Sequence, residues 1–196
     1  MYHNYHDGYV EIISGCMFAG KTEELLRRVR VLSYGRQKIQ LFKPLIDDRY
    51  EASMVVSHAG SKQESIQISK ARDILNFIDE SSEIVAIDEV QFFDEDIIMV
   101  IDELAKNGIR VMAAGLDLDF RGEPFGVMPT LITKAEFVVK LTAVCMRCGA
   151  PGTRSQRIIN GQPADYYDPV IMVGASESYE AVCRHCHEVP NKPCIE

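Results

Sequence analysis

Residues 15–22, Gly15-Cys16-Met17-Phe18-Ala19-Gly20-Lys21-Thr22, constrain this chain more than any other stretch. They fit G-x-x-x-x-G-K-[ST] in full. The glycines let the backbone curl until its N–H groups converge on phosphate oxygens. Lys21 supplies charge to the β and γ phosphates, and the Thr22 hydroxyl can ligate Mg²⁺. Such a loop sits between a strand and a helix, whose positive N-terminal end adds to the site. The flanks comply. Tyr9 to Ser14 reads as a strand with Val10, Ile12 and Ile13 apolar. Thr22 to Tyr34 reads as a helix with Leu25, Leu26, Val29 and Leu32 on one face, and Gly35 falls at the C′ position.

The same alternation continues. Lys38 to Phe42 is a strand, and Ala71 to Ile78 a short helix with Ile74, Leu75 and Ile78 inward. Ile84 to Ile87 is wholly apolar, as in a parallel strand buried on both faces. Asp94 caps a helix that runs through Ala105 and ends at Gly108. Ile109 to Gly115 and Phe137 to Thr142 complete the strands. This order predicts right-handed βαβ units and a parallel sheet. The pattern stops near Ala143, where short strands, Gly, Pro and four of the six Cys take over. A boundary at about 143 follows, and Ile158-Ile159-Asn160-Gly161 reads as a hairpin with an Asn-Gly turn.

Asp88 and Glu89 end the apolar strand. In a phosphate-loop fold, an Asp at the end of a neighbouring strand holds Mg²⁺, the role expected of Asp88. Glu89 then lies at the mouth of the site, placed to accept a proton from an attacking hydroxyl or water. Cys145-x-x-Cys148 and Cys183-x-x-Cys186 can close one tetrahedral S₄ shell of the kind that holds structural Zn²⁺. Residues 149–182, 34 in all, separate the pairs. That is longer than a compact ribbon, so a loop is inserted around Asn160 to Tyr179. His185 and His187 flank the last pair and compete as ligands, with Cys186 preferred for its spacing. Cys16 and Cys194 are not expected to bind metal.

Gly115 to Gly126, with Phe120, Arg121 and Phe125, follows a buried strand. Its rings either stack on a base or pin their own loop. The polar loop Lys43 to Tyr50 carries Arg49, which either meets phosphate or pairs with an Asp. His3 and His6 read as solvated tail residues.

Charge narrows the function. Lys and Arg total 21 against 29 Asp and Glu, a net charge of −8. A general nucleic-acid binder needs a basic footprint, so none is expected. The apolar runs are too short for a transmembrane helix, and Met1 to Asp7 has no apolar signal core. A cytoplasmic location without a membrane partner follows, and in that compartment six Cys suggest metal rather than disulfides.

Together these residues resemble the type II thymidine kinases, bacterial and cytosolic. Gly15 to Thr22 is similar to that family's G-x-M-F-[SA]-G-K-[ST]. Asp88-Glu89-Val90-Gln91-Phe92-Phe93 is similar to its D-E-x-Q-F-F, and Gly115 to Gly126 to its G-L-D-x-x-F-R-x-x-P-F-G. Lys140 to Cys145 and the two Cys pairs are similar to its zinc region. Thr22 replaces the commoner Ser, and Cys16 stands where Pro or Ser is common, a position that contributes mainly backbone. The resemblance implies a P-loop (RecA-like) α/β domain over 1–142, with helices on both faces of a parallel sheet. A small zinc-ribbon-like β domain over 143–196 carries a lasso loop, roughly Val170 to Tyr179. It implies transfer of the ATP γ-phosphate to the 5′-hydroxyl of thymidine and deoxyuridine, with Glu89 as general base. ATP and Mg²⁺ would be held by Gly15 to Thr22, Asp88, Gln91 and, less closely, Arg49. Met17, Phe92, Leu116, Phe120 and Phe125 would line the base pocket. Val170, Ile171, Met172, Val173 and Gly174 would grip the base through backbone, and Tyr179 would contact the nucleoside. A homotetramer inhibited by dTTP is implied as well.

Three other readings share parts of this pattern. Asp88-Glu89-Val90-Gln91 is similar to a DExx helicase motif, but a helicase needs two nucleotide-binding domains and a basic groove. A regulatory ATPase with a docking zinc ribbon would carry a compact basic ribbon. This insertion holds Asp165, Asp168, Glu177 and Glu180, which suits a neutral nucleoside. A kinase for a different nucleoside stays open from the residues alone, because backbone bonds to a base leave no mark in side chains.

Overall fold

The computed structural model describes residues 8–45, 54–56, 62–171 and 177–193. His3, His6, Arg49, Met172, Val173, Gly174 and Cys194 lie outside the described residues. Along the chain run β1 (Val10–Gly15), α1 (Lys21–Ser33), β2 (Ile39–Pro44), β3 (Met54–Val56), β4 (Lys62–Glu64), β5 (Ile66–Ile68) and β6 (Ile84–Ile87). Then follow α2 (Asp96–Lys106), β7 (Arg110–Gly115), α3 (Met128–Lys134), β8 (Phe137–Leu141), β9 (Ala143–Val144), β10 (Pro151–Gly152), β11 (Arg154–Ile159), β12 (Gln162–Pro163) and β13 (Glu177–Val182).

Six strands form one sheet in the order β5-β2-β6-β7-β1-β8, every pair parallel. β1 and β6 are buried along their whole length; β6 is apolar throughout, while Glu11 of β1 is paired with Arg28 and Arg110. α1 covers one face, packing Leu25, Leu26 and Val29 on Ile13, Ile84, Met112 and Ala114. α2, α3 and the segment 71–77 cover the other, with Ile97, Val100, Ile101 and Leu104 at helical spacing against Val85, Ile87 and Val111. The fold is an α/β parallel sheet with helices on both faces.

Two expectations change and one, the short helix near 71–78, is refined. The strand carrying Asp88 is not next to β1: β7 lies between them, so the acidic pair reaches the loop across one intervening strand. Ala71–Phe77 is a 3₁₀ helix, its buried Ala71 and Ile74 three residues apart. That is the spacing at which 3₁₀ side chains eclipse. The left-handed residue after α1 is Arg36 (φ 61°), not Gly35. Gly35 N donates to Leu32 O (2.9 Å) and Arg36 N to Ser33 O (3.1 Å), so a tightened last turn delays the reversal by one residue.

Beyond β8 the strands shorten and pair antiparallel, β10 with β9 and β12-β11-β13 as a three-stranded sheet. Asn160 (φ 50°) and Gly161 (φ 78°) join β11 to β12 with both residues left-handed, the signature of a type I′ turn. A small buried cluster of Cys16, Ala143 and Ala181 seats this part against the loop after β1.

Leu104, fully buried in the larger core cluster, tests the packing. Leu104→Ala should lower unfolding stability by about 2–5 kcal/mol, the cost of a core cavity, read from the denaturant midpoint. A change below about 0.5 kcal/mol, typical of surface sites, would contradict the described core.

Candidate active site

All six strands run the same way, so β1, β6, β7 and β8 deliver their C-terminal ends to one edge, where ligands bind in open α/β sheets. The loop after β1 begins at Gly15 (φ 148°). A Cβ there would lie 2.5 Å from Leu141 O of the adjoining edge strand, so only glycine fits. Lys21 Nζ folds back to donate to Cys16 O at 2.9 Å. Phe18 adopts a left-handed φ of 63°, a strain that non-glycine residues show mostly at functional turns. Met17 N donates to Ser155 Oγ (3.0 Å). The buried Cys16 thiol donates to Gly152 O (3.3 Å), and burial holds its pKa above the usual thiol range. Its side chain is therefore a joint to the cysteine-bearing part, more than the backbone role expected of it.

At the end of β6, the Thr22 hydroxyl donates to the Asp88 carboxylate, 3.1 Å from Oδ2 and 3.3 Å from Oδ1. Burial, and next the charge of Glu89, push the Asp88 carboxyl up to about 7, against the hydrogen bond from Thr22. Lys43, half-buried just past the pairing of Phe42 with Ile87, feels the Asp88 charge while burial lowers its own pKa. Glu89 is left-handed (φ 53°). The chain turns there, Asp88 engages Thr22, and Glu89 lines the cavity described below.

Gln91 is buried with both ends of its amide used. Nε2 donates to Glu89 Oε2 at 2.5 Å, and Oε1 accepts from Leu116 N at 3.0 Å. A Cβ on Gly115 would sit 2.6 Å from that Oε1, so glycine clears the path. The structure thus places Gln91 behind Glu89, tied to the aromatic loop, rather than on the phosphate loop.

A cavity of about 370 Å³ joins these parts. Met17, Phe18, Gly20, Lys21 and Thr22 line it from the loop and α1, with Glu89 and Phe92 after β6. Leu116, Phe120 and Phe125 line it after β7, and Val170, Ile171 and Tyr179 from the insertion. Gly15, Cys16, Ala19, Asp88 and Gln91 do not line it. Phe92 and Phe125 meet edge to face at 5.5 Å, and the 117–126 loop is closed by the Leu118–Pro124 bridge. Phe120 and Phe125 are buried and both line the cavity.

Glu23, Leu118, Asp119, Ser155 and Glu177 also line the cavity, and residue patterns did not single them out. Leu118 and Asp119 lie within the Gly115–Gly126 run and were within reach. Ser155 is an ordinary strand residue with no such signal. Asp119 Oδ1 caps its own turn, accepting from Arg121 N (2.9 Å) and Glu123 N (3.0 Å).

The thiols of Cys145, Cys148, Cys183 and Cys186 lie within 4.8 Å of one another, with Cys148 Sγ 3.6 Å from Cys183 Sγ. Burial opposes ionisation of Cys145, but the N–H groups of Cys183, Arg147 and Cys148 outweigh it and bring that thiol down to about 6. The Cys186 N–H leads in lowering Cys183. Hydrogen bonding with Cys148 and Cys183 pushes Cys186 up to about 12. Two thiols are lowered and two, Cys148 and Cys186, raised, a conflict that a soft divalent cation resolves by neutralising all four. The set fits such an ion. His187 is not in it: its Nε2 lies 2.8 Å from Phe120 O, tying the second Cys pair to the cavity wall. His185 is exposed.

A family model described as thymidine kinase matches residues 8–187. Among solved structures, domain III of the Thermotoga maritima replication initiation protein DnaA is similar at 18% identity. It covers 68% of this chain and 55% of that one, with a TM-score of 0.40. The Legionella pneumophila ATPase DotB is similar at 15% identity, over 66% of this chain and 34% of that one, with a TM-score of 0.39. The chain thus spans about half and a third of those two chains.

Elemental analysis should find about one zinc per chain, as for a closed four-thiolate site. Removing it with a chelator should lower the melting temperature and loosen β9–β13 in amide exchange. Metal-free protein of unchanged stability would contradict the site.

Proposed function

The chain belongs to the thymidine kinase family, and from that premise we propose that it transfers the γ-phosphate of ATP to the 5′-hydroxyl of thymidine and deoxyuridine. Thymidine would yield dTMP and ADP. The observation that carries this reading is one cavity lined by Lys21 and Thr22, by Glu89, and by the rings of Phe92, Phe120 and Phe125. A phosphate donor, a proton acceptor and a flat apolar ring all have their chemistry there.

The loop N–H groups and Lys21 bind the donor phosphates and stabilise charge on the transferring group. The Thr22 hydroxyl and the Asp88 carboxylate are the pair that would hold Mg²⁺. Burial and the Glu89 charge penalise an anion at Asp88, and a divalent cation reverses both effects. When bound, that ion neutralises phosphate charge. Glu89 accepts the proton of the attacking hydroxyl as its oxygen bonds to the γ-phosphorus and the bond to the bridging oxygen breaks. Gln91 fixes the carboxylate for this task through its 2.5 Å hydrogen bond. Met17, Leu116, Phe120 and Phe125 hold the base against Val170, Ile171 and Tyr179 of the lasso.

The reading extends to a nucleotide-binding part over 1–142 and a zinc part over 143–196. It also extends to a homotetramer, feedback inhibition by dTTP and a cytoplasmic location. Among the described residues no helix is long and apolar enough to cross a membrane.

Incubation with Mg-ATP and each deoxynucleoside in turn tests the acceptor. Phosphate should appear on thymidine and deoxyuridine, and transfer to purine nucleosides alone would overturn the assignment. The two carboxylates are separated by substitution. Glu89→Gln should cut kcat by roughly 10²–10⁴-fold, the worth of a positioned general base, with ATP binding nearly intact. Asp88→Asn should instead respond to added Mg²⁺. If excess Mg²⁺ restores Glu89→Gln and not Asp88→Asn, the roles are reversed.

A further inference from the structure

Arg157 sits in the middle of β11 and is fully buried, at 0% exposure. Its guanidinium carbon lies 3.7 Å from the centroid of the Phe120 ring. Nη1 donates to Pro169 O at 2.8 Å and to Val170 O at 3.3 Å. Arg157 also acts on the Tyr179 hydroxyl, by hydrogen bonding and then by charge, against the upward push of burial on that group. Phe120, Val170 and Tyr179 all line the cavity, and they come from three separate segments.

We propose that Arg157 is the positioning residue that sets the shape of the acceptor pocket, by holding Phe120, the Pro169–Val170 segment and Tyr179 with one side chain. This rests on reading the cavity as the acceptor site. An arginine suits the task because its planar face stacks on a ring while its edge donates to carbonyls, and a lysine ammonium cannot do both. Stability alone does not favour an arginine here. Among the described residues, Nε and Nη2 make no close hydrogen bond, and the contacts above include no carboxylate. A buried cation with so little compensation is costly, and an apolar side chain of equal length would pack more cheaply. The arrangement makes sense where the fixed geometry of three walls matters more than the stability lost. Phe120 is held from a second side by His187 at its carbonyl, so the ring is fixed by two groups of the cysteine-bearing part.

The test uses the full zinc-loaded chain with Arg157→Met and Arg157→Lys. Arg157→Met should raise the KM for the nucleoside about 10- to 100-fold, as a misplaced substrate contact does. The KM for ATP should move less than about threefold, since the donor contacts are untouched. Arg157→Lys should recover part of the loss. In ligand-free protein, the Val170 and Ile171 amides should exchange faster in Arg157→Met and to an intermediate degree in Arg157→Lys. Folded variants with wild-type nucleoside KM and wild-type exchange at these amides would overturn the proposal, as would equal rises in both KM values. If Arg157→Met does not fold, Arg157→Lys decides on the same readouts. If the wild-type chain phosphorylates no nucleoside, the functional reading fails, and the amide exchange still decides whether Arg157 holds the segment.

Discussion

A parallel sheet allows no choice about where its strand ends go: every strand points its C-terminal end to the same edge. Here that edge receives Gly15, Ile87, Gly115 and Leu141 from four adjacent strands. The phosphate loop, the Asp88–Glu89 pair and the aromatic loop are therefore neighbours by topology before any side chain makes a contact. The strand between β1 and β6 has a consequence of its own. β7 carries Gly115 between the loop and the acidic pair, and its missing side chain lets Gln91 bridge from Glu89 to Leu116. The carboxylate and the aromatic wall are thereby held by one buried amide.

The sheet alone leaves this edge open. The antiparallel part after β8 closes it through few but specific contacts. Ser155 takes the Met17 amide, the Cys16 thiol reaches Gly152, and His187 reaches Phe120. These contacts join elements more than 60 residues apart in sequence, and most of them are buried or half-buried, where hydrogen bonds are strongest and an unmade one is most costly. The cysteine cluster anchors the far end of this arrangement, because β11 and β13 are paired directly beside it. Ser155, Arg157 and Tyr179 sit on those same two strands.

Most of the sheet was legible because buried parallel strands have little freedom in composition. Ile84 to Ile87 is apolar throughout, Val10 to Ile13 is apolar but for Glu11, and α2 places its apolar residues at helical spacing. The Asn160-Gly161 turn was legible for a different reason, since few residue pairs tolerate two left-handed positions. The helix near 71–78 was legible, but not its 3₁₀ type, because seven residues do not distinguish a 3.6-residue period from a period of three. Strand order was not legible at all. The central strands share the same short apolar character, so nothing in their composition says which strand each will lie beside.

The sequence by itself determined the chemistry at hand: a phosphate loop, a carboxylate pair, an aromatic loop and two thiol pairs. Each is a run of residues whose spacing along the chain is its own signal, and local backbone geometry follows from it. Tertiary structure alone decided which residues support them. Arg157, Ser155 and Gln91 matter through partners 12 to 138 residues away or across a turn. A polar residue in a short strand looks the same in sequence whether it faces solvent or stacks beneath a pocket wall. Only packing distinguishes the two, by removing water and leaving one set of partners within reach.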